Sequence, residues 1–380
     1  MPNIKRGMMG AAGSAGGGGP TALFTWGDGN QGALGDGTAV DRSSPVQVGD
    51  NDTWTSVQFR SGGAVAIKSE GTLWTWGNYA SGKLGDDTGA KRSSPVQIGS
   101  LTDWAAVSEN MYNHCFTIKT DGTLWGWGKN TKGQLGVADT TDRSSPTQVG
   151  ALTTWALVTC GYDFTHAVKT DGTLWAWGRN NRGQLGSGNT TYYSSPVQIG
   201  ALTDWAYTSG KLSGRQYGTH AVKTDGTLWG WGRNDVGSAS GSVGDNTTTS
   251  RSSPVQIGAL TTWATVSTAE SHCHAIKTDG TLWGWGNNSD YGKVGNGSTV
   301  DLSSPVQIGA LTDWSKISAG WNSTTALKTG GTIWAWGRNI GGVLGDGTST
   351  TRSSPVQIGA LTDWDAVFNG GQNAGGLKTE

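Results

Sequence analysis

The chain has 380 residues, a formal net charge of −1 and 14% charged residues, against roughly 25% in ordinary soluble domains. Without a net field, neither nucleic acid nor an anionic membrane is an expected partner, and no apolar run of about 18 residues predicts membrane insertion. The cysteines Cys115, Cys160 and Cys273 have no paired spacing, which argues against a disulfide framework.

Residues 1–20 differ in composition from the rest of the chain. Lys5 and Arg6 precede a Gly-rich stretch that contains Met8 and Met9 but no Leu, Ile, Val or Phe. Such a stretch is a poor hydrophobic segment for secretion, and its composition is typical of a flexible linker. We therefore predict a flexible N-terminal arm over residues 1–20 and a folded domain over residues 21–380.

One segment then returns seven times, built on a Trp-x-Trp-Gly strand and a later Ser-Ser-Pro turn, with Phe24 replacing the first Trp of the first copy. The second Trp recurs every 50 to 54 residues, at Trp26, Trp76, Trp127, Trp177, Trp231, Trp285 and Trp336. A period of this length, in units too small to bury a core alone, is typical of propellers and solenoids. The tryptophans are predicted to form the core between units.

A typical unit spans residues 169–223. An Asp-Gly turn, which favours a tight hairpin, precedes a strand at residues 174–177, and a polar loop separates it from a second strand at residues 195–199. Trp205 is expected to begin a third strand, and residues 220–223 form a fourth. Four short antiparallel strands per unit predict one propeller blade.

The two ends of the chain complete each other. Residues 377–380 stop just before a hairpin turn, and the missing continuation lies at residues 21–26. The last strand can therefore pair with the first and leave no open edge. The sequence thus predicts an all-β fold, a seven-bladed β-propeller of four-stranded antiparallel blades whose ring is closed by the N- and C-terminal strands.

Residues 124–136 and 174–186 share the string Leu-Trp-x-Trp-Gly-x-Asn-x-x-Gly-Gln-Leu-Gly. With the Ser-Pro-Val-Gln and Asp-Gly turns, it resembles the regulator of chromosome condensation repeat, which implies a seven-bladed propeller over residues 21–380. The founding member of that family is a guanine-nucleotide exchange factor for Ran that docks on chromatin. Its relatives have many unrelated binding roles, so the resemblance implies binding and does not carry over the exchange activity.

The first residues of the chain, with Lys5, Arg6, Met8 and Met9, resemble the amino termini of virion structural proteins of tailed marine bacteriophages. Some of those proteins also carry repeats of this propeller type. The resemblance implies that these four residues belong to an attachment arm that binds other virion proteins. It also implies a location in the virion, after assembly in the host cytoplasm, in an appendage such as a tail fibre. A homo-oligomer is compatible with such an assembly.

Motifs that could carry chemistry are weak. Residues 27–32 fit the pattern GxGxxG, but no helix or βαβ unit follows, so no cofactor is expected. His272 and His274 share a strand face without a third spaced ligand, so no metal is expected. His166, His220 and His274 each stand three residues before a Lys and are predicted to be buried and hydrogen-bonded. Without a convergent acid, base or nucleophile, we expect no enzymatic activity.

The loop between the third and fourth strands is the part that does not repeat, and such loops are expected to gather on one propeller face. Aromatic side chains mixed with Asn, Arg and His suit stacking and hydrogen bonding to a glycan or a protein. Drift after duplication is the alternative explanation. The candidate binding residues are Tyr112, His114, Tyr162, Phe164, Arg215, Tyr217, His272, Trp321 and Asn322.

These observations lead to one preferred function and one alternative. The preferred function is a non-enzymatic structural or appendage protein of a tailed bacteriophage, anchored by its arm, whose propeller binds a host-surface glycan or protein. In that role Tyr112, Tyr162, Tyr217 and Trp321 would stack on sugar rings, while Arg215, Asn322 and His272 would bond their hydroxyl groups. The alternative is a cytoplasmic protein-interaction propeller similar to a guanine-nucleotide exchange factor.

Overall fold

A computed structural model describes residues 21–49, 53–60, 62–78, 80–235 and 241–379, and for Arg215 the backbone alone. The arm predicted over residues 1–20 lies outside these residues. The described chain forms seven four-stranded antiparallel sheets and three short 3-10 turns at Asn30–Gly32, Ala80–Gly82 and Ile340–Gly342. No helix in the described ranges is long and apolar enough to cross a membrane.

Each sheet is one blade, in which four strands follow one another from the inner to the outer edge. In that order, blades 1 to 3 consist of Trp54–Arg60, Gly63–Lys68, Leu73–Gly77 and Arg92–Gln97; of Trp104–Val107, His114–Lys119, Leu124–Gly128 and Arg143–Gln148; and of Trp155–Cys160, Phe164–Lys169, Leu174–Gly178 and Tyr193–Gln198. Blades 4 to 6 consist of Leu212–Arg215, Gly218–Val222, Leu228–Gly232 and Arg251–Gln256; of Trp263–Thr268, His272–Lys277, Leu282–Gly286 and Leu302–Gln307; and of Trp314–Ala319, Ser323–Lys328, Ile333–Gly337 and Arg352–Gln357. Blade 7 consists of Trp364–Asn369, Asn373–Thr379, Thr21–Gly27 and Arg42–Val48. The inner strands contact one another around a central channel.

Blade 7 joins the two ends of the chain. Thr21–Gly27 pairs antiparallel with Asn373–Thr379, in a register that places Thr21 opposite Thr379 and Trp26 opposite Ala374. The C-terminal strand therefore lies between the inner strand and the N-terminal strand of the same sheet. The predicted fold class, including the closing pair of strands, is confirmed.

The predicted blade boundary was wrong, because the unit 169–223 is divided between two blades. Its first two strands are the third and outer strands of blade 3, and its last two belong to blade 4. The Asp-Gly turn is a hairpin inside blade 3, where Gly172 N donates to Lys169 O at 2.9 Å. The inner strand of blade 4 begins at Leu212 rather than at Trp205, which forms only an isolated bridge with Lys223.

The second Trp of each repeat packs between blades, as predicted, and is fully buried in all seven copies. In blade 3 the Trp177 indole Nε1 donates to Gln134 O of blade 2 at 2.8 Å. The loop that supplies this carbonyl ends at Gly136, whose φ is +71° and whose Cβ, if present, would lie 2.8 Å from the same Nε1. Gly136 is therefore required both by its backbone conformation and by the approach of the indole.

In blades 1 to 6 a lysine at the end of the second strand, or directly after it, lies against the other two recurring tryptophans. Lys169 Nζ lies 3.7 Å from the ring centroid of Trp175 and 5.1 Å from that of Trp155. The same cation–π pair recurs in blades 1 to 6, at Lys68, Lys119, Lys169, Lys223, Lys277 and Lys328. In blade 7 the position of Trp175 is taken by Phe24, and Lys378 Nζ lies 3.1 Å from the Asp363 carboxylate.

Hydroxyl groups join the inner strands around the channel. Ser318 Oγ accepts a hydrogen bond from Asn369 N at 2.9 Å, and Ser267 Oγ accepts one from Ala319 N at 2.9 Å. Each bond links the inner strand of one blade to that of the next. These bonds fix the start of the loops that follow the inner strands, which are the loops of the predicted binding face.

Candidate functional site

The structure brings four aromatic side chains from four blades together at one mouth of the channel. The ring centroids of Tyr112 and Tyr162 are 4.7 Å apart, those of Tyr112 and Trp321 are 5.9 Å apart, and those of Tyr162 and Tyr217 are 6.3 Å apart. Tyr112 belongs to blade 2 and Trp321 to blade 6, so their stack crosses the channel axis. We call Tyr112, Tyr162, Tyr217 and Trp321 the aromatic mouth.

Two adjoining cavities lie against the aromatic mouth. The first has a volume of about 410 Å³ and is lined by Tyr112, Tyr162, Trp321, Lys83 and several amide side chains, Asn30, Asn78, Asn113 and Gln372. The second, of about 460 Å³, shares Trp321 with the first and adds Asn322 and Arg338. Both volumes fall within the roughly 300–1,000 Å³ of small-molecule sites. Aromatic faces beside amide groups offer stacking and hydrogen bonding to one ligand.

Cationic side chains surround the mouth from the loops that follow the third strands. Lys129 Nζ lies 5.6 Å from the ring centroid of Tyr162, and Arg233 Cζ lies 5.3 Å from that of Tyr217. Asp163 carries part of the balancing charge, since its carboxylate lies 3.0 Å from Lys129 Nζ and 3.6 Å from Arg179. The Tyr217 ring thus lies near two cations, Arg179 and Arg233, and the Tyr162 ring lies near one, Lys129.

One cation beneath the first cavity is buried. Arg60 has no exposed surface, and its guanidinium donates to Lys83 O at 2.9 Å, to Asn78 O at 3.4 Å and to Cys115 Sγ at 3.1 Å. Burial raises the pKa of the Cys115 thiol, so the thiol is neutral at neutral pH. Two of these partners, Asn78 and Lys83, line the cavity, so the guanidinium lies directly behind the cavity wall.

Three predicted binding residues do not face the mouth. His114, Phe164 and His272 are fully buried, because each is the first residue of a second strand and its side chain enters the layer between blades. His114 Nε2 lies 2.9 Å from Thr165 Oγ1, and His272 Nε2 lies 3.1 Å from Thr324 Oγ1, in each case on the next blade. The expectation that these three side chains contact a ligand is therefore corrected.

The other predicted residues stay candidates. Tyr112, Tyr162, Tyr217 and Trp321 are partly buried at the mouth, and Asn322 lines the second cavity. The Asn322 amide Oδ1 accepts a hydrogen bond from Lys293 Nζ at 3.2 Å. The side chain of Arg215 lies outside the described part of the structure. The residues predicted in the attachment arm, Lys5, Arg6, Met8 and Met9, also lie outside the described residues.

The prediction for the three equivalent histidines is confirmed. His166, His220 and His274 are buried, and each Nε2 lies 2.9 to 3.1 Å from a backbone carbonyl of Leu185, Val243 and Val294 respectively. Burial lowers the pKa of each imidazole to about 4, so all three are neutral at neutral pH. Within the described ranges no three His, Cys, Asp or Glu side chains are placed to hold a metal ion.

Sequence reasoning missed Lys83. It occupies the second position of a Gly-x-Leu-Gly or Gly-x-Val-Gly loop that recurs in every blade. The variation at this position was a usable signal, because the loop keeps its form with different residue types there: Ala33, Lys83, Gln134, Gln184, Ser242, Lys293 and Val343.

Comparison with known proteins identifies the repeat. The regulator of chromosome condensation (RCC1) repeat matches residues 22–65, 121–168, 171–208, 279–327 and 330–373, and a second form of this repeat matches residues 155–184 and 314–342. Ultraviolet-B receptor UVR8 of Arabidopsis thaliana is 32% identical over 332 residues, which are 85% of this chain and 74% of that protein. E3 ubiquitin-protein ligase HERC2 of Homo sapiens is 26% identical over 145 residues, which are 33% of this chain and 3% of HERC2.

Solved structures agree on the fold. Human WBSCR16 superposes with a TM-score of 0.82 at 20% identity, over 95% of this chain and 99% of WBSCR16. Prp20p from Saccharomyces cerevisiae, a structure described with its binding properties to Gsp1p and histones, superposes with a TM-score of 0.82 at 19% identity, over 97% of this chain and 93% of Prp20p. With its seven blades and its matching repeats, this chain belongs to the RCC1 repeat family of β-propellers, a protein-interaction fold.

Proposed function

We propose that this chain is a non-enzymatic attachment protein whose aromatic mouth binds a surface glycan of a host cell. The observation that carries the proposal is the meeting of Tyr112, Tyr162, Tyr217 and Trp321, from four different blades, at one mouth of the channel. The ring does not need these side chains for its closure, since the blades are joined by the recurring tryptophans and hydroxyl groups. Partly exposed aromatic rings next to amide-lined cavities serve recognition rather than packing.

The shape of the mouth favours a glycan over a flat protein surface. Two cavities of about 410 and 460 Å³ adjoin each other and share Trp321, so a chain of sugar rings would lie in them with one ring against the indole. Amide side chains such as Asn78 and Asn113 would bond the hydroxyl groups. A protein partner would instead bury a broad and largely flat area.

The proposal includes a place in a virion. Its support is the resemblance of the first residues, with Lys5, Arg6, Met8 and Met9, to virion proteins of tailed bacteriophages. The arm joins the propeller at Thr21, on the third strand of blade 7, so a particle attached there would leave the ring itself free to bind. The propeller would then act as a tail-fibre-like appendage in host recognition.

The binding test compares two double variants on a glycan array. Tyr112→Ala with Trp321→Ala should lower binding at least tenfold, because it removes the stack that crosses the mouth. The matched control is Tyr192→Ala with Tyr207→Ala, which removes two exposed rings elsewhere and should leave binding unchanged. Equal binding by both double variants, at unchanged melting temperature, would overturn the glycan site.

The alternative is a soluble protein-interaction propeller, favoured by the family relation and by the binding of Gsp1p and histones described for Prp20p. Isolation from the native source, with the full chain and with a chain that begins at Thr21, separates the two. Recovery on virus-sized particles, lost without residues 1–20, supports the virion role. Recovery as a free protein with a small GTPase or another soluble partner supports the alternative.

A further inference from the structure

The side chain of Lys83 serves no local purpose in its loop. At the equivalent positions, Gln134 Oε1 accepts a hydrogen bond from Lys132 N at 2.8 Å, and Gln184 Oε1 accepts one from Arg182 N at 2.7 Å. A lysine has no acceptor and cannot make this bond. Among the described residues Lys83 Nζ forms neither a hydrogen bond nor an ion pair, yet Lys83 lines the first cavity.

The only other lysine at this position in the ring has partners. Lys293 Nζ donates to Ser271 Oγ at 3.3 Å and to Asn322 Oδ1 at 3.2 Å. Two oxygen atoms of the mouth thus satisfy that ammonium group, as expected for a largely buried cation. Lys83 differs in that no acceptor for its ammonium group lies among the described residues.

A second positive charge lies behind Lys83, and the described residues provide no counter-ion for it. The buried Arg60 guanidinium meets two carbonyl oxygens and a neutral thiol, and its Nε has no partner among the described atoms. Arginine stays charged inside proteins, and no carboxylate in the described ranges pairs with it. Burial, and next the charge of Arg60, lower the pKa of Lys83 to about 8. The part of the cavity wall that blade 1 forms is therefore electropositive.

The other groups that line the cavity include an amide donor and a carboxylate. Asn78 Oδ1 accepts a hydrogen bond from Ala80 N at 2.8 Å, which leaves the amide NH₂ as a donor. The carboxylate of Asp28, which also lines this cavity, belongs to blade 7 and accepts a hydrogen bond from Asn30 N at 2.8 Å. Lys83 and Asn78 belong to blade 1 and Asp28 to blade 7, so the cation and the acid lie on different blades.

From this arrangement we infer that the glycan bound at the aromatic mouth is acidic, and that its carboxylate or sulfate group binds at Lys83 beside Tyr112 and Tyr162. The inference rests on the proposed function, since it names the chemical class of the ligand at the same mouth. An anion there supplies the counter-charge that Lys83 and Arg60 lack, while the aromatic rings stack on the sugar that carries it.

The test is an array of neutral oligosaccharides, each paired with its sialylated, uronic-acid or sulfated counterpart, followed by calorimetry of the best pair with the full chain at pH 7. The acidic member should bind at least tenfold tighter. Lys83→Gln, which restores the residue of blades 2 and 3, should remove this preference and keep the affinity for the neutral member. Lys132→Gln, at an exposed lysine of blade 2, is the matched control and should keep the preference.

The pH dependence provides a second measurement. A bound anion favours the protonated ammonium group, so the preference for the acidic member should fall as pH rises above about 8, approaching tenfold per pH unit. The neutral member should show no such fall, and neither should the Lys83→Gln variant.

The outcomes separate the inference from the proposed function. Three results would overturn the acidic-ligand inference and leave glycan binding standing. They are equal affinity for both members of every pair, a preference for the acidic member that survives in Lys83→Gln, and a preference that is constant from pH 7 to about 9.5. Binding to no glycan of either kind overturns both. Competition by inorganic sulfate against the acidic member alone supports the inference.

Discussion

The contact between Gly136 and Trp177 gives a sharp test of how the blades are joined. Replacing Gly136 by Ala would place a methyl group 2.8 Å from the Trp177 Nε1 atom, on a backbone with φ of +71°. Gly150 provides a matched control, because its φ is +60° and nothing lies within 4 Å of the position of its Cβ. The two substitutions share the backbone cost and differ in the interblade contact.

The expected losses in the free energy of unfolding differ several-fold. The backbone cost of Ala at positive φ is about 1 kcal/mol, and this is the whole effect expected for Gly150→Ala. Gly136→Ala adds overpacking, about 1 to 3 kcal/mol. It also breaks the 2.8 Å bond from Trp177 Nε1 to Gln134 O, and the buried indole N–H left without a partner costs about 1 to 3 kcal/mol. The total for Gly136→Ala is about 3 to 7 kcal/mol.

Urea unfolding followed by far-UV circular dichroism measures both variants against the parent chain, with the midpoint converted through a common slope. Gly136→Ala should unfold at a clearly lower urea concentration than Gly150→Ala. Near-UV circular dichroism should also change in Gly136→Ala, since the buried indole has to move. Equal losses in the two variants would refute the steric argument and leave only the backbone conformation as the reason for this glycine.

Two further predictions concern blade 7 and the buried histidines. Ala22→Thr with Phe24→Trp should raise the free energy of unfolding by about 0.5 to 1 kcal/mol over Ala22→Thr alone, because it gives blade 7 the indole on which the lysine of each other blade lies. The threonine supplies the acceptor for that indole, as Thr173 Oγ1 does for Trp175 Nε1 at 2.8 Å. Thermal melting that shows no gain would contradict this. Burial lowers the pKa of His166, His220 and His274 to about 4 from the ordinary histidine value of 6.5. Between these two pH values the unfolded chain binds protons at the three histidines and the native chain does not. The free energy of unfolding should therefore fall as pH drops from about 6.5 towards 4. Urea midpoints at pH 7.5 and 5 check this, and His166→Gln should reduce the difference; identical midpoints would contradict the assignment.

Most of the fold could be predicted from the sequence, because the number of repeats gives the number of blades. The spacing from Trp26 to Trp336 yields seven units, and the split unit at the two ends predicts the closing strand pair. The phase of the blades could not be predicted in the same way. A periodic sequence is unchanged when its boundary is shifted, and only the hydrogen bonds show that the Asp171-Gly172 turn lies inside a blade rather than at its edge.

The site could be predicted in part, for a related reason. Loops that differ between copies pointed to Tyr112, Tyr162 and Trp321, which the structure brings together. His114 and Phe164 were predicted to belong to the same site because the sequence does not show at which residue a strand begins. A shift of one residue moves a side chain from the mouth to the layer between blades, and that difference is visible only in the folded chain.

Departures from the repeat have different meanings in different places. Phe24 stands where the other blades have a tryptophan that packs against its own blade, so this difference lowers the stability of blade 7. Lys83 stands where Gln134 and Gln184 bond their own loops, and it adds a second positive charge in front of the buried Arg60. It makes no such local hydrogen bond and brings two like charges together, which costs stability. A cost of this kind is expected where a residue serves a ligand, and Lys83 lies in the cavity that Tyr112 and Trp321 line.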